Sequence, residues 1–449
     1  MYGKPYLSKS RRGSFGFLFY NLFYSFVLNR LLDKRNRYKI CWRSKLSIRQ
    51  LTLPTFWAEL SNKLISDTFL IFKRRIISMS TKSCINNHTT RLPLQTSPLA
   101  VEDTPMFVCL SFDDNYDANG LSWVLQMLEL FQNPCGYDVF SSKPLSATFF
   151  VQSGPSWERE DMLTLWRNAH EYGHDLGNHT DAHSFWDPFE GDVSQNFWRY
   201  QIGLCNDFLT LPLEKGGVNH GTISGFRAPF MRYDDNLLQV LLENGMKYDS
   251  SLPAGNTPSH DGTNNYWPYT LDNGSPEHDI AVESGWKTKI SKYPGLWEAP
   301  THCLIVPPNQ ELEKFGINYS LREKIADRVD WFDTETGKGE NFDCNLYNSP
   351  AEGGSGLTGR DVFAIYAHNL DLRLKGNRAP LILGLHSEHY AYFGYEPFFT
   401  TPESSVEDRR IALMRFIKYA LSKPEVRFVS LKTLIDWMEE PTPLKIRAV

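Results

Sequence analysis

"MFVCLSFDDN", residues 106–115, decides the fold. Met106 to Phe112 make a continuous apolar run of strand length, and two adjacent carboxylates, Asp113 and Asp114, close it. A strand with no polar alternation is buried on both faces, as in a parallel sheet covered by helices. The charges mark the point where the chain leaves the core. Outward from this strand the pattern repeats. "NGLSWVLQMLELFQ" (119–132) has helical periodicity, "LSATFFVQ" (145–152) is a second buried strand, and "REDMLTLWRNAHEYG" (159–173) is an amphipathic helix ending at Gly173. "HDLGNHT" (174–180) begins the next strand. "GFRAPFM" (225–231) follows another helical stretch, and "NLLQVLLENG" (236–245) is a helix capped by Gly245. "GRDVFAIYAHNLDLRLKG" (359–376) is helical, "PLILGLH" (380–386) a strand, "DRRIALMRFIKYALSK" (408–423) a helix, "VRFVS" (426–430) a strand and "LKTLIDWMEE" (431–440) a closing helix. Such alternation predicts an α/β fold with a mainly parallel sheet, and a barrel whose site lies on the rim of strand C-termini. Residues 252–358, with Pro, Gly, Asn and Trp but little periodicity, read as long loops, which in compact domains are often functional.

The chain's 449 residues can hold one large core or two domains. A net charge of −5 gives no bulk attraction for nucleic acid. The 12 Trp and 21 Tyr suit a sugar-binding groove or simply an aromatic core. None of the seven cysteines makes a CxxC pair, which argues against a thiolate zinc site. Cys303 and Cys344 are a candidate disulfide if the protein is exported.

Residues 1–99 read as an N-terminal extension, and the folded domain as 100–445. "FGFLFYNLFYSFVL" (15–28), behind Lys9, Arg11 and Arg12, reads either as a signal or anchor or as a surface amphipathic segment. It is interrupted by Asn21 and is shorter than the ~20 residues of a spanning helix. "FLIFKRRII" (69–77) repeats the apolar-basic pattern, and a start at Met79 is a third reading. Membrane contact is expected only through this segment, and export or cell-surface location is the expectation for the whole.

Four polar stretches fall at the ends of inferred strands: Asp113 and Asp114; "NHTDAH" (178–183) with His179 and His183; "FRAPF" (226–230) with Arg227; and "LILGLH" (381–386) with His386. The i, i+4 histidines read as two imidazoles stacked on one helix face, within reach of one ion. Two imidazoles and a carboxylate make a facial set with open positions, suited to Zn²⁺ or another borderline divalent metal that activates water. Singly, each stretch has a plain alternative: surface histidines, a helix cap, a hydrogen-bonded arginine. Their order, each after a strand, brings them to one rim.

"SFDD", "ATFFV", "GHDLGNHTDAH", "FRAPF", "YDSSL" and "RAPLILGLH" together resemble the polysaccharide deacetylases, the NodB-homology esterases of carbohydrate esterase family 4. "WPYTLD" (267–272), "PGLWE" (294–298), "NRAPL" (377–381) and "FVSLKTLIDWM" (428–438) are similar to the chitin deacetylase branch. The resemblance spans residues 105–440. It implies a distorted (β/α) barrel of about seven parallel strands with long loops, one divalent metal ion (Zn²⁺, or Co²⁺ or another divalent cation), and N-deacetylation of an acetylated glycan. By the same resemblance Asp114, His179 and His183 are the metal ligands and Asp113 the general base. Arg227 pairs with that base, and His386 is the general acid. The amide of Phe230 contributes to an oxyanion site. Asp249 either orients and charges His386 or caps a turn before Ser250. Trp267 and Trp297 either line a glycan groove or pack within the long loops. The chain departs from the family pattern at SFDD, at RAPF and at "HSEHY" (386–390), where Glu388 and His389 either shift the pKa of His386 or bind another group, or, the favoured reading, are exposed loop residues. Chitin or chitooligosaccharides are the expected substrate. Peptidoglycan or another surface glycan is the alternative on the same residues, and a non-catalytic carbohydrate-binding role is a third.

Overall fold

Strand β1, Met106–Asp113, is buried at all eight positions and is the spine of the sheet. In the computed structural model of the chain, residues 89–186, 191–283, 285, 290–392 and 399–446 are described. Strand β8, Leu381–His386, runs parallel along one edge of β1, pairing Val108 with Leu381 through Asp113 with His386. Two parallel strands share the other edge. They are β9, Val426–Phe428, beside Met106–Val108, and β2, Thr148–Val151, beside Ser111 and Phe112. The sheet continues through β3 (Asp175–Asn178), β4 (Gly225–Phe226), β5 (Tyr248–Asp249) and β7 (Trp297–Glu298), all parallel. It ends with β6 (Tyr269–Thr270), antiparallel to β7. The order is β8-β1-β2-β3-β4-β5-β7-β6, with β9 added beside β1. The path from β8 to β7 is thus seven parallel strands in series, and the sheet curls into a half-barrel rather than a closed one.

Helices cover this sheet as the periodicities require. Helix α1, Ala118–Glu129, buries Leu121, Val124, Leu125 and Leu128 on one face, and Asp117 caps it by accepting the amides of Asn119 and Gly120. Helix α2, Glu160–Glu171, buries Met162, Leu163, Trp166 and Ala169. Helix α3, Gln195–Thr210, buries Trp198, Ile202, Cys205, Phe208 and Leu209. Helix α4, Asp235–Glu243, is capped by Asp234. After the irregular region come α5 (Asp343–Tyr347), α6 (Gly359–Lys375), α7 (Val406–Leu421) and α8 (Leu431–Glu439). Each large apolar side chain taken from water contributes about 1.5–3 kcal/mol, and more than eighty apolar residues are buried, so packing rather than helix propensity holds these layers.

Residues 252–358 are less loop-like than their composition implies. Pro253–Ala254 pairs parallel with Thr301–His302, and Leu304–Ile305 pairs antiparallel with Lys338–Gly339. Short helices at Pro276–Glu283, Asn309–Leu312 and Leu321–Ala326 fill the rest. Residues 91–94 are also tied to this unit. Trp267 N–H donates to Leu94 O and Thr270 N–H to Arg91 O, so residues 91–94 lie along the β6 segment. Residues 87–449 form one unit. The stretches 15–28 and 69–77, Met79, Cys41 and Cys84 lie outside the described residues. Among the described residues no helix is long and apolar enough to cross a membrane. Cys303 and Cys344 are free thiols, which corrects the candidate disulfide.

Candidate active site

Because Asp113 and His386 are register partners on adjacent parallel strands, their side chains emerge together at the C-terminal rim. Behind them lies Arg227, fully buried one residue past β4. Its Nη1 donates to Asp113 Oδ1 at 2.8 Å and to Ser111 Oγ at 2.8 Å, and its Nε donates to Ser250 O at 3.0 Å. The guanidinium also stands 4.4 Å from the centre of the Phe150 ring. Burial raises the Asp113 carboxyl above the usual carboxylate range, and the charges of Arg227 and His386 oppose that rise. A buried ion pair with every donor engaged fixes the carboxylate in one orientation, and removing one partner would strand the other.

At Asp114 the strand ends in a left-handed turn (φ 63°), followed by Asn115 (φ 60°). Asn115 holds the turn by donating to Phe112 O at 2.8 Å. The turn swings the Asp114 carboxylate away from Asp113 and toward the loop after β3. There the structure corrects the expected helix. His179 and His183 sit on a loop, not on a helix face, because Thr180 (φ 66°) and His183 (φ 48°) fold the chain back. Thr180 N–H donates to Asn178 Oδ1 at 2.8 Å, Ala182 N–H to Gln201 Oε1 at 2.8 Å and His183 N–H to Thr180 Oγ1 at 3.2 Å. The i, i+4 spacing therefore brings the rings together (4.9 Å between centroids) by a turn rather than by helical pitch.

Asp114 Oδ1 lies 3.5 Å from His179 Nε2 and 3.2 Å from His183 Nε2. That oxygen is buried and accepts no hydrogen bond among the described residues. His179 Nδ1 is 2.7 Å from Arg227 O. A carbonyl can only accept, so Nδ1 carries the proton and Nε2 presents its lone pair to Asp114. Burial, helped by neighbouring His183, lowers the His179 pKa to about 3, so the ring is neutral. A carboxylate oxygen with no donor, facing an imidazole lone pair, is an arrangement that a cation resolves. The donor set, one O and two N, fits a borderline divalent ion such as Zn²⁺ or Co²⁺.

The opposite wall is built from the irregular region. Asn341–Asp343 runs beside β8: Asn341 Nδ2 donates to Ile382 O at 2.7 Å, and Phe342 bridges Gly384. Gly384 permits this approach, since a Cβ there would lie 2.5 Å from the Phe342 ring. The result sets Asp343 against His386, with Nδ1 to Oδ1 at 2.6 Å and the His386 N–H donating to Oδ2 at 2.8 Å. Burial works against the charge on His386. The Asp343 charge and hydrogen bond outweigh it, with Asp114 and Asp113 adding to them, and raise the imidazole to about 10. At neutral pH His386 is therefore an imidazolium, with Nδ1 anchored to a carboxylate.

Asp249 is not the partner of His386. It accepts from Ser251 Oγ at 2.6 Å and is hydrogen-bonded to the buried Glu298 carboxyl, which burial raises well above the usual carboxylate range. Ser251 Oγ in turn accepts the Ala228 amide at 2.8 Å, so Asp249 braces the Arg227–Phe230 loop from behind. Trp267 and Trp297 are not groove residues. Trp267 is fully buried 5.9 Å from the Trp437 ring, and Trp297 is the buried start of β7. Trp297 is held by its place in β7, and Trp267, two residues before β6, is held by its indole N–H donating to Asn377 O at 3.2 Å. Phe230 is half exposed (52%), left-handed (φ 57°), and lies 4.5 Å from the His183 ring and 5.4 Å from Phe185. Glu388 and His389 are buried, not exposed. Glu388 Oε1 accepts the amides of Tyr116 at 2.6 Å and Asp117 at 3.2 Å, tying the strand end that carries His386 to the turn that carries Asp114.

Asp113, Asp114, His179, His183, Phe230, His386 and Glu388 open on one cavity of about 900 Å³. The far wall comes from Cys303, Trp331, Lys338, Asn345 and Glu352. Six of the ten non-glycine residues with positive φ among those described (Asp114, Asn115, Thr180, His183, Phe230 and Met231) fall on or beside its rim. Left-handed backbone costs a non-glycine residue about 1–3 kcal/mol, and it persists where surrounding structure fixes a functional arrangement. The sequence offered no signal for Asp343. It lies in an aperiodic stretch, and only its packing beside Gly384 brings it to His386.

Residues 100–248 match the family model described as polysaccharide deacetylase. The chain is similar to chitin deacetylase 8 of Bombyx mori, 22% identical over 347 residues, covering 77% of this chain and 74% of that protein. Among solved structures it is similar to a polysaccharide deacetylase from Mycobacterium smegmatis (16% identity, TM-score 0.45) and to PuuE allantoinase (14% identity, TM-score 0.44). Each similarity covers 81% of this chain and 99% of the other. The family match covers the segment holding Asp113, Asp114, His179, His183 and Arg227, and over that segment the chain is similar to the polysaccharide deacetylases.

Proposed function

We propose that the protein is a metal-dependent hydrolase that removes acetyl groups from N-acetylglucosamine units, with chitin or chitooligosaccharides as substrate. The observation that carries this reading is the pairing, across one cavity, of an anchored carboxylate (Asp113 on Arg227) with an anchored imidazolium (His386 on Asp343). Amide hydrolysis needs both functions. One group must take a proton from the attacking water, and another must give a proton to the departing amine. Asp113 is held as a carboxylate acceptor by Arg227. His386 is charged at neutral pH and keeps Nδ1 on Asp343, which leaves Nε2 as the proton donor to the leaving nitrogen.

Asp114, His179 and His183 are the residues that would hold a divalent cation, whose Lewis acidity would lower the pKa of water and polarise the acetyl carbonyl. The amide of Phe230, turned by its left-handed backbone, is the candidate oxyanion donor, and its exposed ring offers a face to a sugar. Asp249 acts indirectly, by holding Ser251 against the Ala228 amide.

The catalytic domain on this reading spans 100–445, since Asp343 and His386 are needed beside the motifs of the first part. Its similarity to the silkworm chitin deacetylase supports the choice of glycan and an extracellular setting. The test is acetate release from chitooligosaccharides and from peptidoglycan fragments, after chelation and after zinc repletion, with Asp113→Asn alongside. Zinc-restored release from chitooligosaccharides, lost in the variant, is the expected result. Release from peptidoglycan alone would overturn the substrate. No release from either glycan, with the metal bound, would overturn catalysis and leave a glycan-binding role.

A further inference from the structure

We propose that Asp343, Cys344 and His386 form a second cation site on the acid side of the cavity. It would take a thiophilic divalent metal, Zn²⁺ or Cd²⁺, and would be inhibitory. It shares no residue with the Asp114–His179–His183 set. Each of the three offers one ligand atom, and these atoms lie within 4.8 Å of one another. The donors are a carboxylate oxygen, an imidazole nitrogen and a sulfur, a mixture that selects Zn²⁺ or Cd²⁺ over Mg²⁺ or Ca²⁺. A second imidazole is close, with His389 Nε2 3.8 Å from Asp343 Oδ1.

The site can be reached, because Cys344 and His386 both line the cavity and are partly exposed. Cys344 Sγ donates to Asn345 Oδ1 at 3.2 Å, a weak S–H contact that an ion replaces readily. Asp343 is fully buried, hydrogen-bonded to His386 and next in sequence to Cys344, so the three ligands are already gathered.

Binding releases two protons. One leaves the Cys344 thiol, which becomes a thiolate, and the other leaves Nδ1 of the His386 imidazolium. Bonds from the ion to Sγ and Nδ1 replace these two bonds to hydrogen. Asp343 Oδ1 turns from the His386 N–H to the ion. The proton now bridging Asp343 and His386 competes with the metal, so the site fills at higher free metal than the Asp114 set. Filling it replaces the anchored imidazolium with an ion-bound neutral imidazole, whose remaining proton on Nε2 is a poorer acid toward the leaving nitrogen. This inhibitory consequence rests on the function proposed above, whereas the binding itself does not.

The experiment loads the full chain with one equivalent of Zn²⁺ and titrates it with Cd²⁺. It follows the thiolate-to-cadmium charge-transfer absorption in the ultraviolet. Cadmium exchanging into the Asp114 set produces no such band, since that set has no sulfur. The expected result is a band that saturates with one further equivalent and is lost in both Cys344→Ser and Cys344→Ala, with circular dichroism showing that both variants are folded. Acetate release should fall in step with the band in the parent chain and stay level in Cys344→Ser. No band in the parent, or the same band in both folded variants (as exposed Cys135 would give), overturns the site. A Cys344-dependent band without loss of activity overturns the inhibition. A chain that releases no acetate from any glycan still answers the binding question through the band.

Discussion

The two walls of the cavity are made differently. On one side, Asp114, His179 and His183, the proposed cation ligands, come from two short segments at the ends of parallel strands, and their geometry is set by hydrogen bonds within a few residues: Asn115 to Phe112 O, Thr180 to Asn178, His183 to Thr180. On the other, His386, the proposed acid, ends β8, but its partner Asp343 is 43 residues away and is delivered by a segment with little periodicity. The first wall is local and strained; the second depends on packing between distant pieces of chain. A local wall can be written as a motif, while a packed wall depends on a void being left for it, here at Gly384.

This contrast makes predictions of graded size. The largest effect is expected at the carboxylate between the walls. Asp113→Asn should lower kcat/KM by about 10²–10⁴-fold, the range for loss of a general base, while bound metal stays at one equivalent. Loss of metal together with activity would show that the two adjacent carboxylates do not divide their roles. Next comes the packed wall. Gly384→Ala should push Phe342 aside and separate Asp343 from His386, costing about 10²-fold in kcat with metal binding intact. Metal loss in this variant would mean that the walls are not independent.

Asp343→Asn tests the same link through pH. The Asp343 charge raises the His386 pKa to about 10, so the acid form persists through neutral pH and is lost only as pH rises through that value. Removing the charge lowers this pKa, so the alkaline limb of kcat/KM should move to lower pH. An unmoved limb would exclude His386 as the titrating acid. On the local wall, Asn178→Ala removes the side chain that accepts the Thr180 amide and donates to Ile202 O and Asn206 Oδ1. Metal affinity should fall about 10–100-fold, as for other groups that orient ligands, with the pH limb unchanged. The smallest effect on chemistry is expected at Trp267. Trp267→Ala should cost about 3–5 kcal/mol in unfolding by denaturant while KM of the folded fraction holds. A raised KM would return that ring to the groove.

The extent to which the site could be read from the sequence follows the same division. The apolar run Met106–Phe112 suits a strand buried on both faces, and the carboxylates after it mark the end where the chain leaves the core. The i, i+4 histidines were recognisable as a pair, but the assumption of helical pitch was wrong, because left-handed residues at Thr180 and His183 made the turn. The family resemblance offers Asp249 as the partner of His386 or as a turn cap. Its bonds go instead to Ser251, two residues on, and to Glu298, its register partner on β7.

By itself, then, the sequence determined the alternation of buried strands and one-faced helices, the rim on which Asp113, Asp114, His179, Arg227 and His386 meet, and the donor types that suit a divalent cation. Periodicity and strand ends are properties of a few consecutive residues, so they are written locally. Tertiary structure alone decided that Asp343 charges His386, that Glu388 ties the two strand ends together, and that Trp267 and Trp297 belong to the core. Those outcomes depend on which distant surfaces exclude water together. That is a property of the whole packed chain, and no window of sequence contains it.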